Sequence, residues 1–325
     1  MNERQGGLNS IEFKFPFMVM LVGLPGSGKS TAAKVFSERK DCVVLSSDAI
    51  REELYGNVND TEHNAKVFEV LHRRSRDLLR AGISVCIDST NLSKKRRIHF
   101  LNSLKNINCD KVAAVCATSY EECLRRNLNR DRVVPEKVIR KMYTSFAPPH
   151  ESEGFDKVWY ILDYSNVEEI DSLSNYLNQV VEPLRRYDQH NEYHALTLGN
   201  HLDYTAQYVS NNPSCKSDLC LILAAWLHDI GKPFTKTRRN TKGEYDGNWH
   251  YYNHHCVSAY DAMVLLTPYI GFYPLTDTIN LIYYHMHPYR EWAQSSKKKQ
   301  KDLELLGSDF VERVYALHEA DKAAH

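Results

Sequence analysis

A glycine-rich run with the pattern G-x-x-x-x-G-K-[ST] occupies residues 23–30, and Thr31 follows it. Its glycines let the backbone wrap so that successive N–H groups point at phosphate oxygens, and a helix that begins there adds the positive end of its dipole. In such a loop Lys29 would reach the β- and γ-phosphates, and the hydroxyl of Ser30 would hold Mg²⁺. The residues expected to bind nucleotide here are Gly23, Pro25, Gly26, Ser27, Gly28, Lys29, Ser30 and Thr31. The pattern therefore predicts a site for ATP, or another nucleoside triphosphate, with Mg²⁺.

Carboxylates follow the next two strand-like runs. Asp48 comes after the second run, where the carboxyl end of a parallel strand faces the same crevice as bound phosphates. It could accept a proton from an attacking hydroxyl, or it could serve only as the N-cap of the next helix; the local sequence leaves both open. Asp88 ends the third run and begins the segment Asp-Ser-Thr-Asn. Asp88 and Asn91 are therefore candidates for binding the substrate.

Arginine is concentrated in residues 125–135, which join two helix-like segments. Arginines on a lid of this kind can clamp a transferring phosphoryl group, because charge stabilisation provides most of the catalysis in phosphoryl transfer. If the segment is such a lid, Arg126 and Arg130 would contact the nucleotide, and Arg132 lies in the same segment; the arginine cluster alone leaves that role open. A second basic run, residues 94–97, is more typical of a solvated helix face than of a binding patch.

Histidine is unusually frequent late in the chain, since 11 of the 15 histidines follow residue 150. His228 and Asp229 are adjacent at the end of an apolar run, and an imidazole nitrogen and a carboxylate oxygen there can bind one metal ion. The pair alone would also suit a helix C-terminus before Gly231. Further side chains of metal-binding type lie in other helical segments, at His201, His254, His255 and Asp321. The set as a whole predicts a metal site.

The first half alternates apolar, strand-like runs with amphipathic segments of helix length. The predicted strands are residues 17–22, 42–45, 83–88, 111–116 and 158–162, and the predicted helices are residues 29–39, 62–80, 94–104, 120–129 and 135–145. This alternation predicts a parallel sheet with helices on both faces. One further helix is predicted over residues 166–187.

The strand signal fades after about residue 186. Helical windows follow at residues 193–209, 218–227, 256–266, 276–284 and 310–320, with predicted loops at 235–247 and 294–301. A chain of 325 residues is long enough for about two domains. The predicted division is an N-terminal tail (1–14), an α/β domain (15–186) and an all-α domain (187–325).

The composition is that of an ordinary globular protein, with 42% apolar and 25% charged residues. Lys plus Arg equals Asp plus Glu, at 41 each. This balance excludes a generally basic protein that coats nucleic acid, but it does not exclude a local basic groove.

The longest apolar run, residues 15–23, is too short to span a bilayer, and the first ten residues lack a signal-peptide core. The eight cysteines form no C-x-x-C pair and are expected to be reduced core thiols. A cytoplasmic protein without a membrane partner is predicted.

Five segments, in order, resemble the kinase domain of polynucleotide 5′-kinases and their relatives: GLPGSGKST, SSDAIR, DSTN, RNLNRDRVVPEKVI and FAPPHESEGFDKV. The resemblance covers about residues 15–165 and implies an α/β P-loop kinase with a central parallel sheet. The roles that it implies are phosphate and Mg²⁺ binding for Lys29 and Ser30, general base toward a 5′-hydroxyl for Asp48, acceptor-phosphate binding for Arg51, and donor-phosphate contact for Arg130.

The order His…His-Asp…His…His…Asp over about residues 187–325 resembles the HD phosphohydrolase superfamily. The resemblance implies a first metal held by His201, His228, Asp229 and Asp321, and a second metal or a phosphate held by His254 and His285. His194 is an alternative first ligand or an outer phosphate contact. One or two ions of Mn, Ni, Co, Fe or Zn would suit this donor set, and two metals can activate a water and polarise a phosphoester.

Together the two resemblances imply a bifunctional end-healing enzyme of the kind that fuses a polynucleotide kinase to an HD domain. Its partners would be RNA or DNA ends that carry a 5′-OH and a 3′-phosphate or 2′,3′-cyclic phosphate. The chain has no K-x-[DN]-G lysine of a nucleotidyl-transferring ligase, so a separate ligase is expected to seal the ends.

Two other hypotheses remain open. The first is a small-molecule or nucleoside kinase fused to an HD nucleotidase, which substrate length would distinguish. The second is a kinase whose HD half only senses a ligand, although the near-complete set of metal ligands argues against it.

Overall fold

The computed structural model describes residues 13–60, 62–130, 132–163, 172–189 and 195–325. These residues form two compact units. The first unit contains the described residues up to 142 and residues 149–163, and the second contains residues 143–148 and the described residues from 172 onward. The domain boundary near residue 186 stays a prediction.

A parallel sheet forms the centre of the first unit. Its strands are β1 (Phe17–Val22), β2 (Val43–Ser46), β3 (Val85–Asp88), β4 (Asp110–Ala117) and β5 (Lys157–Leu162). They lie in the order β2-β3-β1-β4-β5, and each neighbouring pair is parallel. The α/β prediction with a central parallel sheet is confirmed for this part of the chain.

Strand β1 is buried along its whole length, which explains its uninterrupted run of apolar residues. Phe17, Val19 and Leu21 pack with Ala33 and Phe36 in one core. The helices of the first unit are α1 (Lys29–Lys40), α2 (Ser47–Tyr55), α3 (Asn64–Arg80), α4 (Lys94–Asn102), α5 (Tyr120–Leu128) and α6 (Glu136–Tyr143), with a 3-10 helix at Glu151–Glu153.

The carboxyl ends of β1, β2 and β3 meet at one edge of the sheet. Ser46 and Asp88 are directly opposite each other in the register of β2 and β3. The glycine-rich loop follows β1 and leads into α1, while α2 follows β2 without a gap. This topology brings the predicted phosphate loop, Asp48 and Asp88 to the same edge.

Arg97 in α4 departs from the expectation of a solvated basic face. Its side chain is buried, and its Nε and Nη2 each donate to Glu153 at 2.7 Å. Its Nη1 donates to the carbonyl oxygen of Asn91 at 3.0 Å. A run of four basic residues therefore includes one arginine that belongs to the interior.

We expect Arg97→Met to lower the free energy of unfolding by about 3–5 kcal/mol, because it leaves the Glu153 carboxylate buried without its cation. Denaturant unfolding would measure this loss. Arg80→Met is a matched control, since Arg80 is exposed and its ion pair with exposed Asp77 contributes at most about 1 kcal/mol. Equal effects of the two substitutions would contradict a structural role for the buried pair.

The second unit is built mainly of helices. They are α7 (Leu173–Val181), a 3-10 helix (Glu182–Arg186), α8 (Leu198–Asn211), α9 (Leu219–Leu227), α10 (Lys232–Thr235), α11 (His254–Leu266), α12 (Phe272–Tyr284), α13 (Glu291–Gln294), α14 (Ser296–Leu306) and α15 (Ser308–Ala323). Helix α9 is apolar on nearly every side, as expected for a helix in the middle of a bundle. Among the described residues, no helix is both long and apolar enough to cross a membrane.

Three details of the second unit differ from the sequence expectations. An antiparallel hairpin, β6 (Lys236–Arg239) and β7 (Tyr245–Tyr251), lies in the segment predicted as a polar loop, so the unit is not all-α. The Lys-rich segment predicted as a loop forms the start of α14. In the predicted helix over residues 166–187, the described residues show α7 capped by Ser172 and then a 3-10 helix. The eight cysteines are free thiols, and six of them are buried.

Candidate functional site

The loop between β1 and α1 has the backbone shape that its glycines allow. Gly26 and Gly28 have φ values of 84° and 88°, in the left-handed region that other residues rarely adopt. A Cβ on Gly26 would lie 2.3 Å from the carbonyl oxygen of Cys123, so this position also lacks space for a side chain. Gly28 is the N-cap of α1, Lys29 is the first residue of the helix, and the exposed Ser30 is the second. The loop is therefore wrapped around the helix N-terminus.

We expect Gly26→Ala to weaken ATP binding at least tenfold, because the methyl group would push the loop away from Cys123 as well as strain the backbone. Calorimetric titration with ATP would measure the affinity. Gly82→Ala is a control for backbone strain alone. Gly82 has a φ of 78°, but a Cβ added there would have no atom within 4 Å, so the substitution causes no steric overlap. Loss of affinity in both variants would show general destabilisation rather than loss of the loop's shape.

Lys29 is buried at the base of the loop. Its Nζ donates to the carbonyl oxygen of Leu24 at 2.6 Å, so the loop's own backbone satisfies it. Burial lowers the pKa of the Lys29 ammonium, and the charges of Cys116 and Asp88 oppose that shift. Lys29 and Asp88 thus line the same cleft at the carboxyl edge of the sheet.

Asp48 is in the first turn of α2, and it is not the N-cap. The cap is Ser46, whose hydroxyl accepts from the N–H of Ala49. The Oδ1 atom of Asp48 accepts from Nη1 of Arg51 and from Nη1 of Arg132, each at 2.6 Å. Two guanidinium groups therefore converge on one oxygen of this carboxylate. Among the described residues, no hydrogen bond reaches its Oδ2.

Arg51 is held rigidly from several sides. Its side chain is buried, and besides Asp48 it donates to Oδ1 of Asn64 at 2.9 Å. Arg132 also donates to Oδ1 of Asn59 at 3.0 Å. The sequence singled out Arg130 for the donor phosphates, and the contact of Arg132 with Asp48 was not anticipated, because the two are 84 positions apart.

These side chains line a single cleft with a volume of about 670 Å³. The predicted residues that line it are Pro25, Gly26, Gly28, Lys29, Ser30, Thr31, Asp48, Arg51, Asp88, Arg126, Arg130 and Arg132. Gly23 and Ser27 lie in the loop without lining the cleft. Asn91 does not line it either, since its amide donates to the carbonyl oxygen of Leu21 at 2.8 Å. The cleft is large enough for a nucleotide and a polar acceptor.

The lid arginines differ in their partners. Arg126 is bound to Asp163 through Nη2, with a closest approach of 2.8 Å, and to Glu122. Within the described residues, Arg130 has no carboxylate partner, and its charge helps to lower the pKa of Lys29. Arg130 and Lys29 thus line the same cleft, where both can face a bound phosphate.

A first cluster of metal-type ligands lies inside the second unit. It comprises His201 on α8, His228 at the end of α9, Asp229 next to it, and Asp321 on α15, all buried. The Nε2 atoms of His201 and His228 are 3.1 Å apart. The Nε2 of His201 is 3.4 Å from Oδ2 of Asp229 and 3.2 Å from Oδ1 of Asp321.

A second cluster shares Asp229 but uses its other oxygen. Oδ1 of Asp229 lies 3.0 Å from Nε2 of His254, the first residue of α11, and 3.6 Å from Nε2 of His285, at the end of α12. The two imidazole nitrogens are 3.2 Å apart. Oδ1 of Asp229 is buried and has no hydrogen-bond donor. A buried carboxylate oxygen without a donor is costly unless a cation lies beside it.

The opposite nitrogens of these imidazoles face the backbone. Nδ1 of His228, His254 and His285 lies 2.9, 2.7 and 2.6 Å from the carbonyl oxygen three residues earlier in each case. Nδ1 of His201 lies 3.3 Å from the carbonyl oxygen of Ala324. A carbonyl only accepts, so Nδ1 must carry a proton, and each ring points its Nε2 into a cluster, where the lone pair is available to a metal ion once any proton on Nε2 has left.

These donor sets fit metal ions. Metal–nitrogen and metal–oxygen bonds of about 2.0–2.2 Å put ligand atoms around one ion about 3 to 3.6 Å apart, and the distances in both clusters fall in this range. Lone pairs that face each other at such distances repel unless a cation or a proton lies between them. His194 lies outside the described residues, so His201 is the α8 ligand that the structure describes.

Charge in the clusters also favours cations. Burial alone would lower the pKa of His201, but the carboxylates of Asp229 and Asp321 raise it to about 9. Burial would raise the pKa of Asp229, but Lys232 and His228 hold it well below its usual range. Both carboxylates are therefore ionised and attract positive charge.

Lys232 is a site residue that the sequence reasoning left unassigned. Its Nζ lies 2.5 Å from Oδ2 of Asp229 and donates to Oε1 of Gln189 at 2.7 Å. The signal was present, because a residue three positions after Asp229 lies on the same side of a helical turn. Its ammonium orients the carboxylate that both clusters share.

Known proteins resemble the first half of the chain. A family model described as an AAA domain matches residues 18–149. The L-seryl-tRNA(Sec) kinase of Methanococcus maripaludis is 28% identical over 176 residues, which are 51% of this chain and 65% of that protein. This chain therefore spans less than two thirds of that relative's length.

Solved structures also match. A Chloroflexus aurantiacus protein described as a kinase gives a TM-score of 0.40 at 14% identity, covering 52% of this chain and 97% of that one. A chain of the Pnkp1/Rnl/Hen1 RNA repair complex gives a TM-score of 0.35 at 25% identity, covering 43% of this chain and 46% of that one. With the loop and sheet described above, the family match leads to one conclusion: the N-terminal part of this chain is an α/β domain with a phosphate-binding loop, and it is similar to kinases.

Proposed function

We propose that this chain is a bifunctional enzyme that heals broken nucleic-acid ends. The first unit would transfer the γ-phosphate of ATP to a 5′-hydroxyl, with Mg²⁺. The second would be an HD-type phosphoesterase that removes a 3′-phosphate or a 2′,3′-cyclic phosphate. The proposal rests on the position of Asp229, because each of its two carboxylate oxygens faces a different cluster of histidines. The same chain also contains the cleft beside the phosphate loop.

In the kinase cleft, each polar group has a task that suits phosphoryl transfer. Lys29 would exchange its bond with the Leu24 carbonyl for phosphate oxygens, and Ser30 would hold Mg²⁺, which neutralises charge on the phosphates. Asp48 would take the proton from the 5′-hydroxyl as that oxygen attacks the γ-phosphorus and ADP leaves. Arg51 and Arg132, already fixed beside Asp48, would hold the acceptor strand's phosphate and the transferring group.

In the second unit, the residues hold and orient the reacting centre. His201, His228 and Asp321 would bind one metal ion with Oδ2 of Asp229, and His254 and His285 a second with Oδ1. When bound, the ions supply Lewis-acid polarisation and an activated water for cleavage of a phosphoester. Lys232 and the backbone carbonyls keep the ligands in their binding orientation.

A nucleic-acid acceptor is supported by the curated relative, because that protein is a kinase named for a seryl-tRNA. An acceptor of that class presents its hydroxyl on a large polyanion. In this chain, five of the eight charged residues that line the cleft are arginines, namely Arg51, Arg96, Arg126, Arg130 and Arg132. We therefore assign a polynucleotide 5′-OH as acceptor, with a separate ligase to join the healed ends.

One substrate panel tests the kinase half. The protein would be given labelled ATP and Mg²⁺ with a 5′-OH RNA oligomer, a 5′-OH DNA oligomer, a free nucleoside and small polyols. We expect label on an oligomer. Label on the nucleoside or a polyol alone would refute the polynucleotide assignment and favour a small-molecule kinase.

A second panel tests the phosphoesterase half. After loading with Mn²⁺, Ni²⁺, Co²⁺, Fe²⁺ or Zn²⁺ in turn, the protein would be given oligomers with a 3′-phosphate or a 2′,3′-cyclic phosphate. We expect release of phosphate or opening of the cycle with at least one metal. Metal binding without turnover of any phosphoester, nucleotides included, would indicate a sensor instead of an enzyme.

A further inference from the structure

The hairpin formed by β6 and β7 combines positive charge with aromatic rings, one of which is exposed. Nζ of Lys236 and Cζ of Arg238 each lie 4.5 Å from the centre of the Trp249 ring. Near the tip, Cζ of Arg239 lies 4.5 Å from the centre of the Tyr245 ring, which is 68% exposed. Aromatic side chains and cations therefore alternate along the hairpin from its base to its tip.

The charge of this hairpin is unbalanced in a chain of zero net charge. Residues 236–251 contain four Lys or Arg against two Asp or Glu. Among the described residues, no carboxylate forms an ion pair with Lys236, Arg238 or Arg239. The two acidic residues are engaged elsewhere, since Asp246 binds His250 and Glu244 accepts from Asn240. Lys236, Arg238 and Arg239 therefore contact the aromatic rings of the hairpin, and no ion pair neutralises their charge among the described residues.

The base of the hairpin is tied to the metal clusters. The hairpin lies between Asp229 and His254 in sequence, and β7 ends three residues before His254. The hydroxyl of Tyr251 donates to the carbonyl oxygen of Gln189 at 2.5 Å, and the Gln189 side chain accepts from Lys232, which contacts Asp229. A strand held along the hairpin would lead from solvent to the shared carboxylate.

We propose that the β6–β7 hairpin binds single-stranded nucleic acid and guides its 3′ end to the two metal clusters. Tyr245 would stack on a base, while Lys236, Arg238 and Arg239 would bind the backbone phosphates. This inference rests on the proposed function for the choice of substrate, but the binding surface itself does not need turnover.

Nucleic acid fits this surface better than an acidic peptide does. Single strands are bound by cations that follow the backbone together with rings on which bases stack, each stacked base contributing about 1–3 kcal/mol. An acidic peptide would use the cations but has no need of an exposed ring between them. The aromatic residues are therefore the part of the surface that distinguishes the two ligands.

The test measures binding of the full-length protein to a labelled ten-nucleotide RNA and to its DNA counterpart, by fluorescence anisotropy. We expect Tyr245→Ala to weaken binding about 5- to 150-fold and Tyr245→Phe to restore it. Tyr273→Ala is the matched control, because Tyr273 is 77% exposed on α12 of the same unit. Arg238→Gln with Arg239→Gln should flatten the slope of log affinity against log salt by about 1.4.

Separate readouts distinguish the possible failures. Turnover of p-nitrophenyl phosphate should be the same in all these variants, which shows that the metal centre is intact. Wild-type affinity in Tyr245→Ala, or equal competition by polyglutamate with the same dependence on Tyr245, would overturn the inference even if phosphoesterase activity is found. Tyr245-dependent binding without turnover of any 3′-phosphate would support the surface while contradicting the proposed enzyme. The RNA and DNA arms show which sugar the surface prefers.

Discussion

Asp48→Asn should lower kcat for phosphoryl transfer to a 5′-hydroxyl by about 10²- to 10⁴-fold, the usual contribution of a general base. The substitution keeps the shape of the side chain and an oxygen that Arg51 and Arg132 can still contact, but it removes the proton acceptor. The affinity for ATP should be little changed, because the phosphate loop does not include Asp48. Steady-state kinetics with a 5′-OH oligomer would separate kcat from KM.

Two comparisons make this result specific. Glu52→Gln, an exposed residue on the same helix, should leave kcat unchanged. Phosphoesterase activity of Asp48→Asn should equal that of the wild type, because the metal clusters lie in the other unit. If Asp48→Asn kept more than a tenth of the wild-type kcat, Asp48 would be only an anchor for its two arginines.

Asp229→Asn is expected to have the largest effect on the second unit, because it alters the one ligand that both clusters share. The loss of an outer-shell partner already costs about 10- to 100-fold in metal affinity, so the loss of a shared ligand should cost at least about 100-fold. Metal content after dialysis, measured by mass spectrometry, should fall to near zero, and phosphoesterase activity should disappear while kinase activity remains.

The number of metal ions bound per chain in two further variants tests this prediction more specifically. His254→Ala removes a ligand of the second cluster alone, so it should keep the metal of the first. His250→Gln is the histidine control, because His250 binds Asp246 on the hairpin and belongs to neither cluster. Full metal content in Asp229→Asn would show that this carboxylate is not a ligand.

The elements of the first unit could be predicted well because their signals are local. Strand β1 is a buried apolar run, and a glycine-rich pattern follows it at once, so periodicity and motif agree. Asp48 was ambiguous because a carboxylate at that position suits both capping and catalysis. Only the structure shows that Ser46 takes the cap and leaves Asp48 to the arginines.

What the sequence missed depends on distant partners or on weak patterns. Arg97 reads as a solvated cation because its partner Glu153 is 56 positions away. Strand β6 is polar along its length and has an irregular register after Thr237, so it lacks the alternation that marks a strand. Strand β7 does alternate aromatic with polar residues, but Gly247 interrupts it and a polar, glycine-containing turn precedes it. The start of α14 has the sequence character of a loop, because four of its first six residues are lysines without apolar periodicity.

The position of Asp229 between two clusters has a consequence for how the ions bind. One carboxylate carries a single negative charge, and each of its oxygens faces a different set of imidazoles. The first ion to bind takes up part of that charge and repels the second, so the two binding events are coupled, and each ion weakens the affinity for the other by the same factor. Titration with metal should therefore show negative cooperativity, with a mono-metal form that persists over a wide range of metal concentration.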